Sequence, residues 1–235
     1  PFRSPHHSAS MAALTGGGLR AKPGEASLAH NGVLFLDELP EYQPNVLDAL
    51  RQPLETGEII VARANHRILY PARIQLIAAM NPCPCGHFGN PHKNCRCTPD
   101  QVARYQGRLS GPLLDRIDVQ VEVPAVAPEV LARSADGAST DEVAQRVVAA
   151  RARQMARQGR LHAELEGAAL DLHATAEPAA HAFLQTACVR LGWSGRAYHR
   201  VLKLARTIAD LALAEHISTA HMAEAIQYRR ALSSA

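Results

Sequence analysis

The sequence contains no apolar run long enough to cross a bilayer, which excludes a membrane-spanning helix. It also lacks a strong charge of either sign: 25 Lys and Arg against 22 Asp and Glu leave a net +3 with histidine neutral. Charge alone therefore cannot hold this chain to a polyanion, and any nucleic-acid contact must come from local patches. Cysteine is scarce, five in 235 residues. That is not the dense framework of a secreted disulfide scaffold, so a reducing, cytoplasmic setting is expected. Neither methionine nor a signal sequence opens the chain, which starts Pro1-Phe2-Arg3, so further residues are expected upstream. What is present is an ordinary globular composition, 47% hydrophobic and 20% charged, which excludes wholesale disorder. The length suits one large domain, or a core domain with a small satellite.

Two regions differ in pattern. Through residue 124, short β-rich runs alternate with Gly, Pro and Asn loops; from residue 139 the chain is Ala-, Leu- and Arg-rich with helical spacing. Residues 125–138 read as a linker. In the first region Gly32 to Asp37 is a continuous apolar run ending in acid, the pattern of a strand buried on both faces of a parallel sheet. Arg73 to Met80 and Ile117 to Val123 are the next strand candidates, and Asn45 to Leu54 reads as a helix. Glu58–Arg63 and Arg67–Tyr70 form the arms of a hairpin around Ala64-Asn65-His66. Strand, helix, hairpin, strand predicts a three-layer α/β domain. In the second region Ser139 and Glu142 make a capping box for a helix reaching Gln158. Glu177-Pro178 opens another that stops at Gly192, Ser194 a third and Ser218 a fourth. These make a helical bundle.

The chemistry concentrates at strand ends. Val33-Leu34-Phe35-Leu36 delivers Asp37 and Glu38 to the carboxyl end of a buried strand, where open α/β sheets bind ligands. Asp37 can hold Mg²⁺, and Glu38 can polarise a water for attack on a γ-phosphate; the alternative is a pair of solvated acids. Met80-Asn81-Pro82 puts a carboxamide at the end of a second strand, able to orient that water or simply to form a turn. Arg116 stands before the third strand candidate, where it could reach a phosphate on a neighbouring subunit or pair with Asp115 or Asp118.

Together these strings resemble the AAA+ ATPases of the magnesium-chelatase-like group, most closely the ComM (YifB) family. The resemblance rests on Pro1 to Ser10, Gly16-Gly17-Gly18, Pro23-Gly24-Glu25, His30 to Glu38 and Asn81 to Gly86, and covers nearly the whole chain. It implies that Asp37 and Glu38 are the Walker B pair, Asn81 is sensor 1 and Arg116 is the arginine finger. Ser194-Gly195-Arg196-Ala197 looks like the start of the sensor 2 helix, with Arg196 as the lid arginine. The expected fold is thus a partial AAA+ parallel sheet with β-hairpin insertions over residues 1–124, followed by an all-α lid bundle over 139–235. The departure from the family is equally specific. No Gly-x-x-x-x-Gly-Lys-Ser/Thr string occurs, so the Walker A loop is missing. By the resemblance that loop and the strand before it lie upstream, that strand sitting between the sensor 1 and arginine-finger strands. The chain by itself is expected to bind ATP poorly and to be unstable or prone to associate.

Cys83-Pro84-Cys85 and Cys95-Arg96-Cys97 offer four thiolates for a closed tetrahedral Zn²⁺ site, with His87 and His92 as spare ligands; the alternative is a loop of reduced cysteines. Cys188 falls on an apolar helical stripe and reads as core. For nucleic acid, the hairpin tip with Arg63, His66 and Arg67 and the loop with Arg20 and Lys22 are the basic candidates. The resemblance places both toward the pore of a hexameric ring. His6-His7 reads as loop structure.

The resulting expectation is part of a hexameric motor that couples ATP-Mg²⁺ hydrolysis to work on single-stranded or branched DNA, in helicase or branch-migration steps of transformation. Two alternatives stand beside it: a chelatase motor inserting Mg²⁺ into a tetrapyrrole, and a non-catalytic module stabilised by Zn²⁺.

Overall fold

The computed structural model describes residues 1–18, 21–63, 66–126, 130 and 137–230, with the side chains of residues 63, 66 and 230 left out. It divides into two compact units, Pro1–Ile117 and Asp118–Ala235. Most of the expected linker at 125–138 lies outside the described residues.

The first unit is built on a three-stranded parallel sheet. β1 (Phe2–Arg3), β2 (Val33–Leu36) and β5 (Gln75–Ala78) lie in the order β1-β2-β5, with Phe2 beside Val33, and Leu36 beside Ala78. Because paired residues in a parallel ladder share a face, Leu34, Leu36, Leu76 and Ala78 point one way and Phe2, Phe35 and Ile77 the other. The first face is covered. Leu34 and Leu36 are fully buried against Leu14 of α1 (Met11–Thr15), Val46 and Leu47 of α3 (Pro44–Asp48), and Leu50. Phe2 remains 66% exposed and Ile77 43% on the second face. Among the described residues, then, only one face of this sheet is covered, where the sequence pattern led to an expectation of two. An unbroken apolar run records how apolar a strand is, but the covering elements decide how many faces are dry.

The expected helix at 45–54 is two helices, α3 and α4 (Arg51–Thr56), broken at Ala49-Leu50. Pro53 supplies the reason, since it has no N–H to give the carbonyl four residues back. Ile117–Val123 is not a strand, despite its alternating apolar residues. A strand exists only with a ladder partner, and among the described residues none runs beside this segment. Gln120 instead donates its N–H to the Tyr228 carbonyl at 2.7 Å, and Val121 and Val123 stand 63% and 82% exposed. The hairpin forms as expected: β3 (Glu58–Arg63) pairs antiparallel with β4 (His66–Pro71), with Arg63 opposite His66. β1 escaped notice because two residues carry no period.

Around these elements, α2 (Glu25–Leu28) is tied to β1 by a bidentate pair in which Arg3 donates to Glu25 at 2.6 and 2.7 Å. That hydrogen bond and charge hold the Glu25 carboxyl below its ordinary range. α5 (Pro99–Gln106) begins with a complete Thr98–Gln101 capping box. Ser110, at the head of α6 (Gly111–Leu114), donates to Asp48 at 2.6 Å.

The second unit is helical. α7 (Thr140–Gln158) starts at the expected Ser139–Glu142 capping box and ends at left-handed Gly159. α8 (Ala168–His173) went unread, being only six residues long. α9 (Pro178–Leu191) ends at left-handed Gly192, and α10 (Gly195–Leu211) is capped by Ser194. α11 (Thr219–Arg230) completes the unit. Leu184, Ala205, Ala209, Met222 and Ala225 form its dry interior.

One polar network crosses that interior. Asp210, fully buried, accepts two bonds from Arg157 at 2.7 and 2.8 Å and lies 3.0 Å from Arg206, itself 1% exposed. Burial pushes the Asp210 carboxyl up, yet the Arg157 hydrogen bonds and the two guanidinium charges together hold it below its usual value. Arg206 also caps the carbonyls of Ala214 and Glu215. Asp210→Ala strands a buried guanidinium and should cost about 3–5 kcal/mol of stability, read as a lowered denaturant midpoint of the helical unit.

His162, 2% exposed, lies beside this network with Nδ1 2.7 Å from Gln158 Nε2. Burial first, then the nearby Arg157 charge, lowers its pKa to about 4. The unfolded chain takes up this proton near pH 6.5, whereas the folded protein refuses it until about pH 4. Stability should therefore fall as pH drops from about 6.5 and level off below about 4. Denaturation midpoints across that range should show the slope, and His162→Gln should flatten it.

Candidate nucleotide-binding rim

β2 and β5 end side by side, so the residues just beyond them share one rim. Leu36 accepts from the Ala79 N–H at 2.9 Å, and the Ala79 carbonyl accepts from the Leu39 N–H at 3.0 Å. Asp37 and Glu38 follow β2 directly, and Asn81 follows β5. All three are exposed at the carboxyl edge of the sheet. The structure thus brings together the acid pair and the carboxamide that the sequence singled out, and the ladder between Leu36 and Ala78 is the reason.

Glu38 has a left-handed backbone, φ 51 and ψ 46. A non-glycine residue there carries strain of about 1 kcal/mol or more, a feature that collects at functional sites. The chain turns sharply at this point because Leu39 and Pro40 bury themselves immediately afterward. Asp37 Oδ1 accepts the Glu38 N–H at 2.8 Å, fixing the Asp37 carboxylate against the backbone of its neighbour.

The sequence reading missed His7. Its Nδ1 lies 3.0 Å from Glu38 Oε2, and its ring meets Tyr42 edge-on. Tyr42, 1% exposed, donates to the Pro5 carbonyl at 2.6 Å and so holds the opening segment over the rim. The histidine doublet after Pro5 was the available signal, but nothing local says that it folds onto residues thirty positions away.

Arg116 is held by contacts within its own unit. Its side chain is 7% exposed and donates to the Arg51 carbonyl at 3.2 Å, to the Pro112 carbonyl at 2.7 Å, and to the Glu55 carboxylate. Contact with another subunit's phosphate would require it to exchange Glu55. Arg196 belongs to the second unit, exposed in the first turn of α10.

The basic candidates fall on neighbouring elements. Gly17 and Lys22 exchange two hydrogen bonds of 2.9 Å, closing a small loop. At its base the chain crosses itself: a Cβ on Gly24 would sit 2.3 Å from the Gly16 nitrogen, so only glycine fits. Tyr70 of β4 donates to the Ala21 carbonyl at 2.6 Å, tying the hairpin to this loop. Lys22 and Arg67 are exposed. Arg20 lies outside the described residues, as do the side chains of Arg63 and His66.

The four cysteines of the loop between β5 and α5 come together as a group whose sulfurs all lie within 4.8 Å. Such a cluster can bind a metal ion. His87 and His92 are not among the grouped ligands. Backbone N–H groups of Arg96 and His87 stabilise the Cys85 thiolate and bring its pKa to about 6. At Cys95 the Cys97 N–H also favours the thiolate, but burial and the adjoining Cys85 and Cys83 sulfurs outweigh it and push the pKa to about 12. Cys188 is half-buried against the helical core.

No helix among the described residues is long and apolar enough to cross a membrane. Residues 1–131 match the family model for magnesium chelatase, subunit ChlI, and residues 137–229 match that for the ChlI C-terminal region. Over 97% of its length the chain is 52% identical to the competence protein ComM of Haemophilus influenzae and 52% identical to the YifB protein of Salmonella typhimurium. A magnesium-chelatase 38 kDa subunit from Cereibacter sphaeroides is 30% identical over 47% of the chain, covering 27% of that subunit. The chain spans 45% of the length of the ComM and YifB proteins it matches. Family models over both units and this identity along the chain show that it belongs to the magnesium chelatase subunit ChlI family, in its ComM/YifB group.

Proposed function

We propose that this chain carries the water-activating half of an ATPase site in a ring-forming motor that works on DNA. The observation that carries the reading is the shared rim: two carboxylates and a carboxamide at the ends of adjacent parallel strands. Its donors are hard oxygens, the kind that Mg²⁺ prefers, and the left-handed Glu38 backbone is of a kind that collects at functional sites. Bound ATP-Mg²⁺ would supply the phosphoryl group and neutralise its charge. Asp37 holds the cation side, Glu38 accepts a proton from the attacking water, and Asn81 orients that water. His7 fixes the Glu38 carboxylate at 3.0 Å. Arg116 and Arg196 are the arginines assigned to the phosphates as finger and lid, Arg116 after exchanging Glu55.

DNA is favoured over a tetrapyrrole as the object of the motor because the similarity to ComM runs along 97% of the chain, against 47% for the chelatase subunit. The Tyr70–Ala21 tie also supports it, joining the loop that carries Lys22 to the hairpin that carries Arg67, two basic elements that a ring would multiply around a threaded strand. Hexameric assembly and helicase or branch-migration work in DNA uptake complete the reading.

In the intact protein, where the phosphate-binding loop would complete the site, single-stranded or branched DNA should stimulate ATPase turnover and a tetrapyrrole-binding partner should not; the reverse pattern selects the chelatase reading. In the same assay Glu38→Gln should lower kcat about 100-fold or more while ATP binding persists; unchanged turnover removes the base from Glu38. Lys22→Glu with Arg67→Glu should weaken single-stranded DNA binding about tenfold or more at low salt, measured by fluorescence anisotropy, and the difference should shrink as salt is raised.

A further inference from the structure

The loop between β5 and α5 has almost no interior of its own. Across residues 81–98 only Cys83 is fully buried, and Phe88, its one large apolar residue, is 50% exposed. A long segment without helix or strand and without a hydrophobic core needs another constraint to hold one shape. Its turns bring the cysteines together: Gly86 donates to the Cys83 carbonyl at 3.0 Å, and Asn90 to the His87 carbonyl at 3.1 Å. Asn90 Oδ1 then accepts the N–H groups of His92 and Lys93 at 2.8 and 3.1 Å, turning the chain back toward Cys83.

The sulfurs that result are arranged for a single ion. Cys83, Cys85 and Cys95 are separated by 3.5, 3.7 and 3.6 Å, with Cys97 completing the group. A tetrahedral site with Zn–S bonds of about 2.3 Å has S–S edges of ~3.8 Å. The sulfurs are too far apart for disulfides, whose bond is about 2.05 Å, and all four cysteines are free. The Phe88 N–H points at the Cys83 sulfur at 3.3 Å, the kind of outer hydrogen bond that orients a metal-bound thiolate. Four soft thiolates leave no position open for water or substrate, which identifies a structural ion and not a catalytic one.

We propose that Cys83, Cys85, Cys95 and Cys97 bind one Zn²⁺ that staples this loop and thereby holds the backbone carrying Asn81. The staple reaches the rim directly. A Cβ at Gly86, in the first cysteine turn, would lie 3.8 Å from the Asn81 carboxamide, and Gln106 of α5 donates to the Pro82 carbonyl at 3.0 Å.

Elemental analysis of the protein purified without chelator should find about one zinc per chain. Cys83→Ser and Cys95→Ser should each lose most of it, whereas Cys188→Ser, on α9, should retain it. Less than about a tenth of a zinc per chain, with the four thiols freely reactive or oxidised in pairs, overturns the proposal, as does stoichiometric iron. If the serine variants do not fold, Co²⁺ exchange in the unaltered protein decides: intense tetrahedral d–d bands with thiolate charge transfer are expected, and a pale octahedral spectrum overturns the site. Removing the metal should also raise hydrogen exchange across 81–98 while Val33–Leu36 stays protected; unchanged exchange in that loop overturns the staple. None of these measurements involves ATP, so this proposal and the nucleotide reading, on which only the link to Asn81 depends, fail separately.

Discussion

Parallel pairing of Val33–Leu36 with Gln75–Ala78 is the contact on which the candidate site depends. Antiparallel pairing would have sent Asp37 and Asn81 to opposite ends of the sheet, but parallel strands finish at the same end. The cost of parallel pairing is a long connection from one strand to the next. Here α3, α4 and the β3–β4 hairpin occupy that connection, and Val46 and Leu47 of α3, with Leu50 beyond it, cover one sheet face. The elements that close the core are thus the same ones that align the two strand ends.

Burial and strain are distributed unequally around that rim. Leu34, Leu36, Leu39 and Tyr42 are nearly inaccessible, while Asp37, Glu38 and Asn81 stay in solvent. This contrast lets a rigid floor hold acids whose charge costs little to maintain. The left-handed Glu38 backbone accompanies a turn that takes Leu39 and Pro40 straight into the core. In the helical unit the economy is reversed. There Asp210, Arg206 and Arg157 carry charge into the interior, and each depends on the others for compensation.

Much of this was legible from local pattern. Ser139 with Glu142, and Ser194 three residues before Ala197, act through hydrogen bonds spanning three residues, so the helix starts could be read directly. Asp37-Glu38 and Asn81 were legible because strand ends announce themselves as apolar runs turning polar. The strand expected at Ile117–Val123 misled for the same reason: alternation describes a surface suited to pairing but does not supply a partner. His7 and the Tyr70–Ala21 tie gave no readable sign, because each joins segments dozens of residues apart through a single side chain.

The sequence by itself determined helix caps, turn positions, the apolar strands and the inventory of acids, cysteines and arginines, all of which follow from interactions among near neighbours. Tertiary structure alone decided that one sheet face is covered and the other open, that Arg116 rests on Glu55, that His7 meets Glu38, and that four sulfurs converge. Those outcomes depend on which distant segments pack together, and packing selects among many locally equivalent arrangements by the surface it can bury and the polar groups it can pair.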